Sequence, residues 1–423
     1  MTTSTNLDVT FLGTCSAVPT ATRNVSALAL RYLGDTWLFD CGEGTQHQLL
    51  SSSCPLRLSR VSRILITHLH GDHVLGLPGL LCTMGMSGAR TTNANAAAQD
   101  GASAASAPPP AAALELVGPR GLRNYVRSSL HLTHAGHLAY PLVIHELHDD
   151  HDDHDEHDLD HVPAPAFDVP PLACERADLG RDVALDPGTG LWVLPAMACS
   201  SLTAATPSAS LHVVACPIRH SVTTVGYVVT EPASPGAVNA AVATQRIEAN
   251  RAALAAQGVT KPLALMAQLK QGKTVTLPDG SRLDPAELVG PAVPGRKVVI
   301  LGDTFDPQAI GAAAQDADVL IHEATNASVE DGDPPVEKVQ QQAVEHGHST
   351  PQMAGRFAAS INAKALLLTH FSGRYKGDTE PASLAVMDRI AALARQEFTT
   401  GPVVCARDFM TVGIGRNGSI SVQ

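Results

Sequence analysis

A chain of 423 residues with 44% hydrophobic but only 4% aromatic side chains can bury a large, mainly aliphatic core, as one large domain or two. No apolar run reaches the ~20 residues that span a bilayer, and eight scattered cysteines without a C-x-x-C pair suggest neither a disulfide framework nor a cysteine-based zinc site. The formal charge of −12 neither favours nor excludes a phosphate-bearing partner, because nine of the 41 acids fall in residues 146–160, which hold no Lys or Arg, and without them the charge would be −3.

The chain opens on a strand-like run at residues 8–13, so no signal or transit peptide is expected. With cysteines that form no C-x-x-C pair, a reducing intracellular compartment is expected: the cytoplasm by default, with the nucleus or an organelle as the alternatives. Further runs rich in Val, Ile and Leu, at 26–32, 36–40 and 63–67, read as strands. Residues 86–113, rich in Ala, Ser, Asn, Gly and Pro, read as a disordered low-complexity insertion. A strand at 114–118 and a helix at 119–130 follow. Residues 146–210 are expected to form a second low-complexity surface insertion, opening on an Asp/His tract and continuing Pro- and Ala-rich. In that tract His145, His148, His151, His154, His157 and His161 recur every three or four residues, a pattern that could buffer metal weakly. After strands at 211–216 and 224–230 comes an ordered excursion at 231–292, with an Ala-rich helical stretch (239–257) and a Pro278-Asp279-Gly280 turn. Strands at 298–301, 319–321, 365–369 and 403–405 and a helix at 350–361 complete an α/β pattern of sheet layers covered by helices.

The strongest chemical signal is His68-Leu69-His70-Gly71-Asp72-His73, directly after the apolar run Ile64-Leu65-Ile66. Imidazole nitrogen and carboxylate oxygen suit zinc. A turn at a strand end can splay His68 and His70 toward one metal and Asp72 and His73 toward a neighbour. One loop cannot complete two sites. His220, Asp303 and His370 also stand just past strand-like runs, and Asp303 has the chemistry to bridge two metals.

The loop looks like the H-x-H-x-D-H signature of metallo-β-lactamase-fold hydrolases, and the words around it are narrower. Phe11-Leu12-Gly13-Thr14, the loop from Pro19 to Asn24, Leu38-Phe39-Asp40-Cys41-Gly42-Glu43-Gly44-Thr45-Gln46-His47-Gln48 and Gly76-Leu77-Pro78-Gly79 are similar to tRNase Z. So are His322-Glu323-Ala324-Thr325, His348-Ser349-Thr350 and Thr369-His370-Phe371-Ser372-Gly373-Arg374-Tyr375. The resemblance implies a single metallo-β-lactamase-type αββα sandwich across residues 1–423, a homodimer, and a protruding tRNA-binding arm at 231–292. It implies two zinc ions per subunit, one on His68, His70, His220 and Asp303, the other on Asp72, His73, Asp303 and His370. The implied activity is endonucleolytic removal of the 3′ trailer from precursor tRNA. Asp72 would be the general base and His348 the proton donor, oriented by Glu323, with His346 a nearby alternative donor. Arg23, Asn24 and Arg374 are the expected substrate contacts. The Pro19–Asn24 loop has Ala21 where the family usually carries Lys, which bears on how the tRNA 3′ end is sensed.

Overall fold

The computed structural model describes residues 7–86, 113–149, 168–195, 211–330, 332–416 and 418–423. They divide into a larger unit, Met1–Thr230 with Arg296–Gln423, and a smaller one, Glu231–Gly295, inserted between its halves.

In chain order the strands are β1 (Leu7–Gly13), β2 (Ala27–Tyr32), β3 (Asp35–Phe39), β4 (Val61–Leu65), β5 (Leu114–Pro119), β6 (Leu142–His148), β7 (Asp182–Ala184), β8 (Trp192–Val193), β9 (His212–Ile218) and β10 (Thr224–Thr230). The smaller unit contains β11 (Val275–Thr276) and β12 (Arg282–Leu283), and the chain ends with β13 (Lys297–Ile300), β14 (Val319–Glu323), β15 (Leu366–Thr369), β16 (Val403–Cys405), β17 (Thr411–Ile414) and β18 (Ile420–Val422). The larger unit holds two sheets, ordered β18-β17-β1-β2-β3-β4-β5-β6-β7 and β16-β15-β14-β13-β10-β9-β8.

Both faces of both sheets are covered, which is why the strand sequences are apolar almost throughout rather than alternating. Val9, Phe11, Trp37 and Phe39 of the first sheet meet Val213, Tyr227, Val298 and Ile321 of the second in the central core. On the outer face of the first sheet, Leu12, Leu38, Ile64 and Leu116 pack under helices Leu77–Met86 and Leu122–Leu132. On the outer face of the second, Val299, Leu320 and Leu366 pack under helices Pro351–Ser360 and Pro381–Glu397. Helix, sheet, sheet and helix therefore stack as the expected αββα sandwich. Strands β3 to β6 and β13 to β16 run parallel within their sheets. Their carboxyl ends are where parallel α/β sheets place functional loops.

The smaller unit has its own core of Ala243, Ile247, Leu254, Leu269, Leu277, Leu283 and Leu288. Asn239 caps the Ala240–Ala249 helix by accepting from the Val242 amide, and Asp284 caps Pro285–Leu288 in the same way. The unit ends three residues later than the 231–292 read from the sequence.

Residues 87–112 of the first expected insertion lie outside the described residues, as do 150–167 and 196–210 of the second, including most of the Asp/His tract. The part between, residues 168–195, corrects the reading of 146–210 as surface insertion. There β7 extends the first sheet beside β6, β8 extends the second beside β9, and Trp192 and Leu194 enter the central core. Strands of two or three residues are too short to show a period, so composition alone suggested a loop. The 17-residue helix Pro381–Glu397 and strands β17 and β18 also went unread.

Candidate metal centre

The H-x-H-x-D-H loop leaves the end of β4 and is fixed on its back side before any metal is considered. Asp40, just past β3 and left-handed at φ 61°, accepts the Thr67 amide on Oδ1 at 2.7 Å. A Cβ at Gly42 would lie 2.2 Å from the Asp72 carbonyl oxygen, so only glycine allows the two loops to approach this closely. His220 follows β9, Asp303 follows β13, Glu323 ends β14, and His370, left-handed at φ 56°, follows β15. Strand ends of both sheets thus point the expected side chains at one place.

Their donor atoms fall into two sets. His68 Nε2 and His220 Nε2 stand 3.1 and 3.3 Å from His70 Nδ1. In the second set His370 Nε2 lies 3.2 Å from His73 Nε2 and 3.3 Å from both Asp72 Oδ2 and Asp303 Oδ2, while His73 Nε2 is 3.5 Å from Asp303 Oδ1. Asp303 Oδ2 also comes within 3.8 Å of His68 Nε2, between the two sets. Nitrogens bound at ~2.0–2.1 Å to one tetrahedral zinc stand about 3.3–3.4 Å apart. The residues fit a pair of zinc ions in number, chemistry and spacing.

Most of the protonation states suit metal binding. Burial holds His68, His70 and His220 below the ordinary imidazole range, and a neutral ring is the metal-binding form. For Asp303, burial is outweighed by His370 and His73, which hold its carboxyl well below the usual range. Burial also opposes ionisation of Asp72, but His370 and His73 keep it low. His73 goes the other way: Asp303 and Asp40 overcome the effect of burial and raise it. Two supports were not visible in the sequence. His73 Nδ1 donates to Asp40 Oδ2 at 2.7 Å, and His220 Nδ1 donates to the Gly347 carbonyl at 2.7 Å. Both partners lie far from their histidines in the chain, so no local pattern could have indicated them.

Beside the second set, Glu323 is buried and accepts the Thr304 amide (2.7 Å) and His348 Nδ1 (3.1 Å) on Oε1. His348 keeps 19% of its side chain exposed, and Glu323 raises its pKa to about 9 against the opposing effect of burial. The alternative donor His346 is exposed at the end of helix Val336–Glu345. His322 is fully buried, donates from Nδ1 to the Glu323 carbonyl and packs by Phe357, a structural setting.

The expected substrate contacts sit differently. Arg23 is only 2% exposed and donates to the carbonyls of Tyr375, Lys376 and Ala406 and to Thr14 Oγ1. It braces the loop rather than facing outward. Asn24 donates from Nδ2 to the Glu43 carbonyl, and its amide donates to Asp408. Arg374 ties Asp333 to the Ala327 carbonyl and the Tyr375 hydroxyl. The loop these residues hold reaches the centre through backbone: the Ala17 amide donates to Asp72 Oδ2 at 2.7 Å. Beside it opens a cavity of about 270 Å³ lined by Ala17, Pro19, Glu43, His70, Asp72 and Leu75.

Residues 7–94, which carry the H-x-H-x-D-H loop, match the family model described as anti-Pycsar protein Apyc1. Over nearly the whole length, the chain is 36% identical to zinc phosphodiesterase ELAC protein 1 of Bos taurus, covering 97% of this chain and 99% of the relative. It is 33% identical to ribonuclease Z of Picosynechococcus, covering 98% and 99%. The chain belongs to the ribonuclease Z family. The crystal structure of human tRNase Z, short form (ELAC1), superposes with a TM-score of 0.53 at 29% identity, covering 96% of this chain and 98% of that one. The ribonuclease Z sandwich is the metallo-β-lactamase fold, and family membership makes the chain a hydrolase.

Proposed function

We propose that the two sets of donors hold two zinc ions, and that Asp72 and His348 move the protons as the bond joining a tRNA to its 3′ trailer is hydrolysed. The activity itself, metal-dependent endonucleolytic processing of tRNA 3′ ends, follows from membership in the family. The observation that carries the site reading is the meeting of His68, His70, His220, Asp72, His73, Asp303 and His370, from strand ends of both sheets, at zinc spacing.

Held by these residues, zinc would lower the pKa of a bound water toward neutrality and offset charge developing on the phosphate. The chain's own groups then do the rest. Asp72 is ionised, and the Ala17 amide fixes its carboxylate, so it can take the proton of the attacking water. His348 carries a proton at neutral pH and is turned by Glu323, so that its other ring nitrogen can give that proton to the leaving 3′ oxygen. A phosphorus–oxygen bond to water forms as the bond to the 3′ oxygen breaks. The tRNA leaves with a 3′ hydroxyl and the trailer with a 5′ phosphate.

The Glu231–Gly295 unit is the proposed tRNA-binding arm; its own small core supports an independently built appendage, and Lys261, Lys270 and Lys273 give it phosphate-binding groups. The proposed assembly is a homodimer, and the proposed compartment is the cytoplasm. Among the described residues no helix is long and apolar enough to cross a membrane.

The test is cleavage of a labelled precursor tRNA with a short 3′ trailer by wild type and Asp72→Ala, with zinc or with EDTA. A single cut at the end of the acceptor stem, lost in the variant and with chelator, is expected. No cut by zinc-loaded protein that still hydrolyses a small phosphodiester would overturn the tRNA assignment.

A further inference from the structure

The Nδ1 sides of four ligand histidines are held in two ways. His73 and His220 meet an acceptor directly, Asp40 and the Gly347 carbonyl. His68 and His370 each meet a threonine hydroxyl instead. Thr67 Oγ1 lies 3.0 Å from His68 Nδ1 and 2.9 Å from Asp40 Oδ2. Thr325 Oγ1 lies 3.1 Å from His370 Nδ1 and 2.5 Å from Glu323 Oε2.

The two arrangements repeat one plan on the two sheets. Asp40 takes a backbone amide (Thr67), one histidine directly (His73) and one through a hydroxyl (His68 through Thr67). Glu323 takes a backbone amide (Thr304), one histidine directly (His348) and one through a hydroxyl (His370 through Thr325). A hydroxyl has one hydrogen. An ionised carboxylate can only accept, so the hydrogen goes to the carboxylate and the hydroxyl oxygen must accept from Nδ1–H. Thr325 Oγ1 also lies 3.0 Å from the His370 carbonyl, but Glu323 is nearer and charged and takes the hydrogen.

We propose that Thr67 and Thr325 are paired positioning residues that lock His68 and His370 in the tautomer whose Nε2 lone pair faces the metal, each through its own carboxylate. The proposal rests on the two-zinc reading. It gives Glu323 a second duty: through Thr325 it supports a metal ligand, and directly it orients His348, so metal occupancy and proton donation share one carboxylate. Valine keeps the shape of threonine but leaves Nδ1–H without its acceptor in a buried place; in Thr325→Val it also strips Glu323 Oε2 of its hydrogen bond, whereas in Thr67→Val Asp40 Oδ2 keeps His73.

Zinc affinity would be measured by chelator competition for wild type, Thr67→Val, Thr325→Val and Thr325→Ser, with melting of the metal-free proteins alongside. Loss of an outer hydrogen-bond partner weakens metal binding ~10–100-fold, and each valine is expected to do so for one of two bound ions. Serine is expected to restore wild-type affinity. Nitrogen-15 NMR of the metal-free wild type, which does not depend on a variant folding, is expected to show the protons of His68 and His370 on Nδ1. Valine variants that bind two ions as tightly as wild type, serine that fails to restore, or protons on Nε2 would each overturn the relay and leave the two-zinc reading standing. A wild type that binds no zinc would overturn both.

Discussion

Proton donation and metal binding are separable at His348. It touches the cluster only at its edge, 3.8 Å from Asp303 Oδ2, and its Nδ1 is committed to Glu323. His348→Gln should therefore leave zinc content unchanged while kcat on precursor tRNA falls ~10²–10⁴-fold, the usual worth of a positioned acid. A fall in zinc content instead would make His348 a ligand. Arg23 poses a similar choice. If it braces the loop, Arg23→Met orphans several buried acceptors, each costing ~1–3 kcal/mol, and chemical denaturation should show a loss of ~3 kcal/mol or more. A variant as stable as wild type but with a raised KM would return Arg23 to the substrate contacts.

At the scale of elements, the turn between helices Val336–Glu345 and Pro351–Ser360 does structural work for a ligand on the other side of the site. Gly347 has φ 80°, and a Cβ there would lie 2.6 Å from His220 Nδ1. Gly347→Ala strains the turn and pushes His220 away from His68 and His70, so zinc affinity should drop; calorimetric titration that finds no change would show that the turn yields instead. This turn also shows where reading the sequence stops. Each candidate ligand follows an apolar run that the structure makes a strand, so the candidate set His68, His70, Asp72, His73, His220, Asp303 and His370 could be drawn from strand-then-ligand order and from family words. The groups that aim those ligands were not. Asp40 lies 33 positions before His73, and Gly347 lies 127 after His220, so their roles exist only once the two sheets stack. Strands β7 and β8 were hidden for another reason: each is two or three residues long, and pairing with β6 and β9 makes them strands, not local propensity.

At the scale of the molecule, the register of β10 and β13 shows where in the chain the smaller unit is inserted. The two strands pair antiparallel, with Thr230 opposite Lys297, the pairing of a simple hairpin whose tip has been opened to admit Glu231–Gly295. The central core and the metal ligands belong wholly to the other unit, and the inserted unit buries its own Leu254, Leu269, Leu283 and Leu288. Replacing 231–295 with a short Asn-Gly turn, which keeps the buried Arg296 and its hydrogen bond to the Ile414 carbonyl, should thus preserve the sandwich, its zinc and its hydrolysis of a small phosphodiester such as bis(p-nitrophenyl) phosphate. Cleavage of precursor tRNA should fall by orders of magnitude through KM, and the wild type's weakening of binding with added salt should flatten, because phosphate contacts made by Lys261, Lys270 and Lys273 would be gone. Loss of zinc or of small-substrate hydrolysis would show instead that the unit supports the sandwich. Unchanged tRNA cleavage would show that the sandwich alone recognises its substrate, and the arm would need another role.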